Sequence, residues 1–86
     1  MESNVTLVHV VMMRSGILEN IKTFANIDDQ DRSGTIEAED HFIHQAMEIY
    51  KGISQDELDY CLEEGHFEYG NYDLWIYHNC VENVLL

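Results

Sequence analysis

Carboxylates are the side chains in this sequence with the most chemistry to offer. Seventeen Asp and Glu stand against four Lys and Arg in 86 residues, a formal charge of −13. The imbalance steepens along the chain. After Lys51 there is no further Lys or Arg, yet Asp56, Glu57, Asp59, Glu63, Glu64, Glu68, Asp73 and Glu82 follow. A field of this sign repels nucleic acid and anionic membrane, and attracts cations or proteins whose working surface is basic. Neither direct nucleic-acid binding nor membrane binding is therefore expected.

Asp56, Asp59 and Glu63 recur at spacings of three and four, the repeat of one helix face, and Glu57 and Glu64 lie on the adjoining line. Like charges so placed cost an isolated helix roughly 0.2–0.5 kcal/mol per pair. Solvated helix faces normally mix both signs, so a one-signed face that bears this cost points to a partner. Tyr60, Tyr69 and Tyr72 are interleaved with the acids. The expected partner-binding set is Asp56, Glu57, Asp59, Tyr60, Glu63, Glu64, Glu68 and Asp73. The expected work is non-catalytic: occupying the Lys/Arg-lined groove in which a partner would otherwise hold DNA or RNA phosphates. In composition the chain resembles small acidic proteins of mobile genetic elements that block restriction or CRISPR nucleases, although no motif carries that likeness. The competing reading is solubility through net charge.

A second arrangement is Asp29-Gln30-Asp31-Arg32-Ser33-Gly34-Thr35-Ile36-Glu37-Ala38-Glu39-Asp40, which is similar to the twelve-residue loop of the EF-hand family. The resemblance implies side-chain ligands at Asp29, Asp31 and Ser33, a carbonyl ligand at Thr35, a water-mediated one at Glu37 and closure by Asp40, around calcium or magnesium. It also implies a sharp turn at Gly34 and a tether at Ile36. The sequence departs from that pattern in closing with Asp rather than Glu and in placing His41 where an apolar residue belongs. Phe24 and Ile27 are one residue out of register, and no second loop exists to pair with this one. The alternative is an acidic turn ahead of a helix, where negative charge is favourable. No other cofactor is expected.

A third arrangement, Glu37, His41, His44 and Glu48, is spaced by four, three and four residues. Such a stripe can offer imidazole and carboxylate to a transition metal, or be a solvated face with weak ion pairs. The catalytic set is expected to be empty. The sequence holds no Ser-His-Asp order, glycine-rich phosphate loop or HExxH, and so small a domain has little room for a sequestered pocket. His9 reads as a hydrogen-bonded sheet histidine.

The elements that must position these groups are those of one small domain, residues 1–86, with a modest core. An apolar fraction of 45% and nine aromatics (Trp75, five Tyr and three Phe) argue against disorder. Residues 5–13 are rich in β-branched side chains and read as a strand. Arg14-Ser15-Gly16 is a turn signal. Residues 17–25 carry helical spacing, but a strand that needs a neighbour and a short turn favour a hairpin. A polar loop spans 26–35, and a helix is expected over 36–51 with Phe42, Ile43, Ala46, Met47 and Tyr50 inward and Gly52 closing it. Ser54-Gln55-Asp56-Glu57 is a capping box for a shorter helix with Leu58, Cys61 and Leu62 inward, ended by Gly65. After a turn at Gly70-Asn71, residues 72–78 form a strand.

The expected fold is α+β, a two-layer domain of order β-β-α-α-β with both helices on one face of an antiparallel sheet. Its core is expected to hold Val8, Val10, Phe42, Met47, Leu58, Leu62 and Trp75. The apolar tail Val81, Val84, Leu85 and Leu86 should pack back on the domain. Cys61 and Cys80 are expected to be reduced packing residues. The apolar run at 5–13 is interrupted by Thr6 and His9 and has no basic flank, so a cytoplasmic protein is expected.

Overall fold

A two-residue turn opens the architecture. In the computed structural model, which describes residues 2–85, Ser15 and Gly16 both take left-handed backbone angles (φ 53° and 79°) and join β1 (Glu2–Arg14) to β2 (Ile17–Asn26). Two consecutive positive φ angles define the type I′ turn, whose twist matches that of paired strands. The ambiguous segment is therefore a strand. Its helical spacing loses to a turn that presents it directly to β1, with Arg14 opposite Ile17 and Val8 opposite Phe24.

The fold is α+β, with four antiparallel strands in the order β2-β1-β4-β3 and helices packed against the sheet. The helices are α1 (Ser33–Ile49) and α2 (Gln55–Glu64), and the last two strands are β3 (His66–Tyr69) and β4 (Tyr72–Leu85). Two features of the sheet differ from the sequence expectation. A fourth strand, β3, occupies the four residues between Gly65 and Gly70. The final strand also runs on through the apolar tail, which pairs with the start of β1: Val81 lies opposite Val5, and Leu85 opposite Glu2. The tail does pack back on the domain, as a strand; Leu86 lies outside the described residues.

Residues of alternating phase on the strands point to opposite faces. Val8, Val10, Phe67, Leu74 and Ile76 face inward and meet Ala38, Phe42, Ala46 and Leu58 from the helices. Leu62 packs at the margin of this core. Trp75 and Met47, expected inside, are 41% and 49% exposed. Between Leu74 and Ile76, Trp75 has the outward phase; on α1, Met47 lies beside the buried line that runs through Ala46. Among the described residues no helix covers the outer face of the sheet. There Val11 lies between Ile21 and Trp75, and His9 between Thr23 and Tyr77.

Gly34, Ala38, Phe42 and Ala46 are all buried and spaced by four, so they form one ridge along α1. The ridge sets how near the helix lies. A Cβ on Gly34 would sit 2.5–2.8 Å from the backbone of Ala25. This glycine serves close approach, not the sharp loop turn implied by the EF-hand resemblance. Tyr50, extended at φ −132°, ends α1, and Gly52 is not in the left-handed conformation expected of it. In α2 the expected devices are present. Ser54 Oγ accepts from the Glu57 N–H at 3.2 Å, and Gly65, at φ 77°, donates its N–H to the Cys61 carbonyl at 2.8 Å. The Gly65 carbonyl then accepts from the Ile76 N–H at 3.0 Å, so the end of the helix is also tied to the sheet. No helix among the described residues is long and apolar enough to cross a membrane.

Replacing Gly34 by Ala is expected to lower stability by about 1–3 kcal/mol, because backbone rather than a flexible side chain must yield. Gly52→Ala, whose Cβ would meet only the Tyr50 ring at 3.6 Å, should change stability little. Urea unfolding of both variants checks this: equal midpoints would refute the close-approach account.

Candidate functional site

The capping box starts α2 and Gly65 turns the chain straight into β3, so the helix lies alongside the short edge strand. Between them runs a groove of about 720 Å³. Asp56, Glu57, Tyr60, Cys61 and Glu64 line it from α2, and His66, Phe67, Glu68 and Trp75 from the strands. Positions 57, 60, 61 and 64 share one helical face. Phe67 is buried, whereas Tyr60 is 64% exposed. Four carboxylates and two exposed aromatic rings thus converge, and no Lys or Arg lines the groove among the described residues.

The wall opposite the helix is held by a stack. The His66 and Trp75 rings are 3.8 Å apart and 8° from parallel, and His66 Nε2 lies 2.9 Å from an Asp73 carboxylate oxygen. Glu68 lies opposite Asp73 across the hairpin. One donor atom from each of His66, Glu68 and Asp73 falls within 4.8 Å of the other two.

Of the partner-binding residues expected from sequence, Asp56, Glu57, Tyr60, Glu64 and Glu68 line this groove, and Asp73 joins it through His66. Asp59 and Glu63 do not. They are exposed on another side of α2, where Asp59 accepts a hydrogen bond from Gln55 at 2.9 Å. His66, Phe67 and Trp75 were not anticipated. The only local cue to them was the turn at Gly70-Asn71, which brings residues 72–75 back beside 66–69. Both cysteines are free thiols. Burial foremost, then the Glu57 carboxylate, pushes the Cys61 thiol above its ordinary pKa, so it stays protonated and packs. Cys80 is exposed, not the packing residue expected.

The EF-hand-like segment is arranged differently from the family's loop. Ser33, Thr35, Glu37 and Asp40 all belong to α1, where successive side chains fan around the axis instead of wrapping one point. Asp29 is exposed in the preceding turn. Asp31 spends its oxygens on starting the helix: one accepts from the Ile27 N–H at 3.0 Å, the other from the Ser33 N–H at 3.0 Å and the Ser33 hydroxyl at 2.7 Å. Asn26, at the end of β2, supplies the missing cap from another element. Its Oδ1 accepts from the Thr35 N–H at 3.0 Å, and its Nδ2 donates to the Thr35 hydroxyl.

The helix stripe is divided as well. His41 is half-buried, with its ring 5.9 Å from that of Phe24. Burial first, then the charges of Lys22 and His44, hold its pKa below the ordinary value against the pull of Glu48. His44 is exposed and donates from Nδ1 to the Asp40 carbonyl at 2.7 Å. His9 lies 2.9 Å from the Thr23 hydroxyl and against the Tyr77 ring, as a sheet histidine.

Comparison with known proteins finds no matching family model, no significantly similar curated protein and no significantly similar solved structure. The class that fold and site define is an acidic α+β domain whose second helix and edge hairpin enclose an aromatic, carboxylate-lined groove.

Hydrogen bonds from Ile27 first, then from Ser33, hold the Asp31 carboxyl below its ordinary pKa of about 3.9. A carboxyl depressed on folding contributes stability that is fully present above the unfolded value and lost as pH falls through the folded one. Asp31→Ala should therefore unfold at lower temperature than the natural protein at neutral pH, and the gap should close as pH falls below about 4. Thermal unfolding across pH measures it. A gap that persists undiminished in acid would mean that the hydrogen bonds do not hold the charged form.

Proposed function

We propose that this protein is a non-catalytic binder of basic protein surfaces, and that the groove between α2 and β3 is where the partner's cationic side chains dock. The observation that carries the reading is the gathering of Asp56, Glu57, Glu64 and Glu68 around Tyr60 and Trp75. A guanidinium or ammonium group entering such a groove gains Coulombic attraction from several carboxylates together. Ring faces add cation–π attraction, on the order of 0.5–1 kcal/mol at exposed sites. Phe67 and Cys61 below offer apolar cover to the methylene stems of Lys and Arg.

The wider field supports the same reading at longer range. A formal charge of −13 steers a basic partner toward the protein and speeds encounter. The partner surface it suits is a Lys/Arg-lined one of the kind that holds nucleic-acid phosphates. On that reading the protein competes with DNA or RNA for the partner and acts as an inhibitor or mimic.

The test separates a built groove from mere net charge. An arginine-rich peptide serves as the probe, in the presence of a chelator. Asp56→Asn, Glu57→Gln, Glu64→Gln and Glu68→Gln together should weaken its binding at least about tenfold, mainly through slower association. Asp29→Asn, Glu37→Gln, Asp59→Asn and Glu63→Gln remove the same charge elsewhere and should weaken it far less. Affinity of the natural protein should fall steeply with salt, because exposed charges act over about 8 Å at physiological ionic strength and less above it. Equal losses from the two quadruple variants would leave the acidity a general solubility device.

A further inference from the structure

We propose that His66, Glu68 and Asp73 form a binding site for a divalent cation of the zinc type. This goes beyond the groove reading and does not rest on it.

The first argument is placement. The β3–β4 hairpin turns at Gly70, whose φ is 60°, and Asn71, with Tyr69 opposite Tyr72. His66 and Glu68 are two apart on β3, so they share a face, and that face also carries Asp73 and Trp75 from β4. One nitrogen and two carboxylate oxygens therefore meet from two strands held in fixed register. The three donor atoms lie within 4.8 Å of one another, and His66 Nε2 and Asp73 Oδ1 are already 2.9 Å apart. Zinc bonds of about 2.0–2.2 Å to nitrogen and oxygen place neighbouring ligand atoms roughly 3–3.5 Å apart. Glu68, exposed and flexible, closes the remaining distance by a rotamer change.

The second argument is charge. Glu68 and Asp73 face each other directly across the hairpin, and like charges in that position destabilise a strand pair. Among the described residues neither carboxylate forms an ion pair with a Lys or Arg. Arg14 is engaged with Glu19 at 2.8 Å and with Tyr72, Lys22 lies over Phe24 on the inward phase of β2, and Arg32 and Lys51 flank α1. His66 reaches only Asp73. A dication at this point neutralises both carboxylates at once.

The third argument is orientation. Stacking on Trp75 fixes the plane of the His66 ring, with Nε2 turned toward Asp73, so little ring freedom is lost on binding. An imidazole ligand selects a borderline metal over calcium or magnesium, which favour oxygen alone. Binding requires the bare Nε2 lone pair, so any proton on that nitrogen leaves to solvent as the metal enters. Three protein ligands leave a coordination position open for water or an incoming group.

Trp75 is the only tryptophan in the chain, and it touches one of the ligands. Zinc titration of the full chain, followed by calorimetry and by tryptophan emission, should show saturable one-to-one binding with a coincident emission change. His66→Gln, Asp73→Asn and Glu68→Gln should each weaken zinc at least about tenfold. Glu68→Gln is the variant least able to disturb folding, since that side chain is exposed. His44→Gln, on the helix stripe, should leave zinc binding unchanged, and calcium should give no saturable signal. Absence of saturable zinc binding, or zinc affinity indifferent to Glu68→Gln and Asp73→Asn, would overturn the proposal. So would loss of binding in His44→Gln alone. Because peptide binding is measured with chelator present, either result leaves the groove reading to its own test.

Discussion

The architecture depends on how near α1 can come to the sheet. Gly34, Ala38, Phe42 and Ala46 form a ridge with a single large side chain in it, and Phe42 is fully buried. Small residues on either side let the helix settle until the glycine Cα lies against the Ala25 backbone. The same descent brings the Thr35 N–H to the Asn26 side chain. Packing and capping are thus one constraint: a bulkier residue at 34 would part the helix from the strand and orphan a buried amide. The oxygens of Asp31 complete the joint from the loop side.

With α1 covering the centre of the sheet, α2 is left to cover its β3 end, and the groove is the seam that remains. The chain deploys its charge accordingly. Inward-facing positions of the sheet near the groove are apolar, as Phe67, Leu74 and Ile76 show, whereas carboxylates crowd the rim. Acidic residues on α2 tolerate one another because each keeps contact with water. At the hairpin, Glu68 and Asp73 also reach water, but the register sets their backbones directly opposite each other. The aromatic stack of His66 on Trp75 stiffens this hairpin.

Much of the fold was legible in local signals. Ser15-Gly16 and the Ser54 capping box with Gly65 are short-range devices whose conformations follow from the residues themselves. What eluded the sequence depended on partners distant along the chain. Residues 66–69 are too few to show a period, and they become a strand only because β4 returns beside them. Residues 74–77 are Leu, Trp, Ile and Tyr, all substantially apolar, so alternation alone does not say which pair faces in; the helices decide. The helix α1 begins at Ser33, ahead of the start at 36 that the sequence pattern predicts, because its cap, Asn26, sits on another element. The acidic half of the groove could be read from helical spacing in α2. Tyr60 could be read there too, but His66 and Trp75 could not, because they need the β3–β4 pairing.

Strand order also has a bearing on how the chain acquires its shape. β1 is central, yet its two neighbours arrive at very different times: β2 follows after two residues, whereas the pairing of Arg14 with Tyr72 must wait for both helices and β3 to be synthesised. A chain emerging from a ribosome can form the first hairpin at once and then holds one side of its central strand unpaired. The helices have only half a platform on which to bury Phe42 until β4 appears. Folding is therefore gated by closure of a long loop, a slow and entropically costly step.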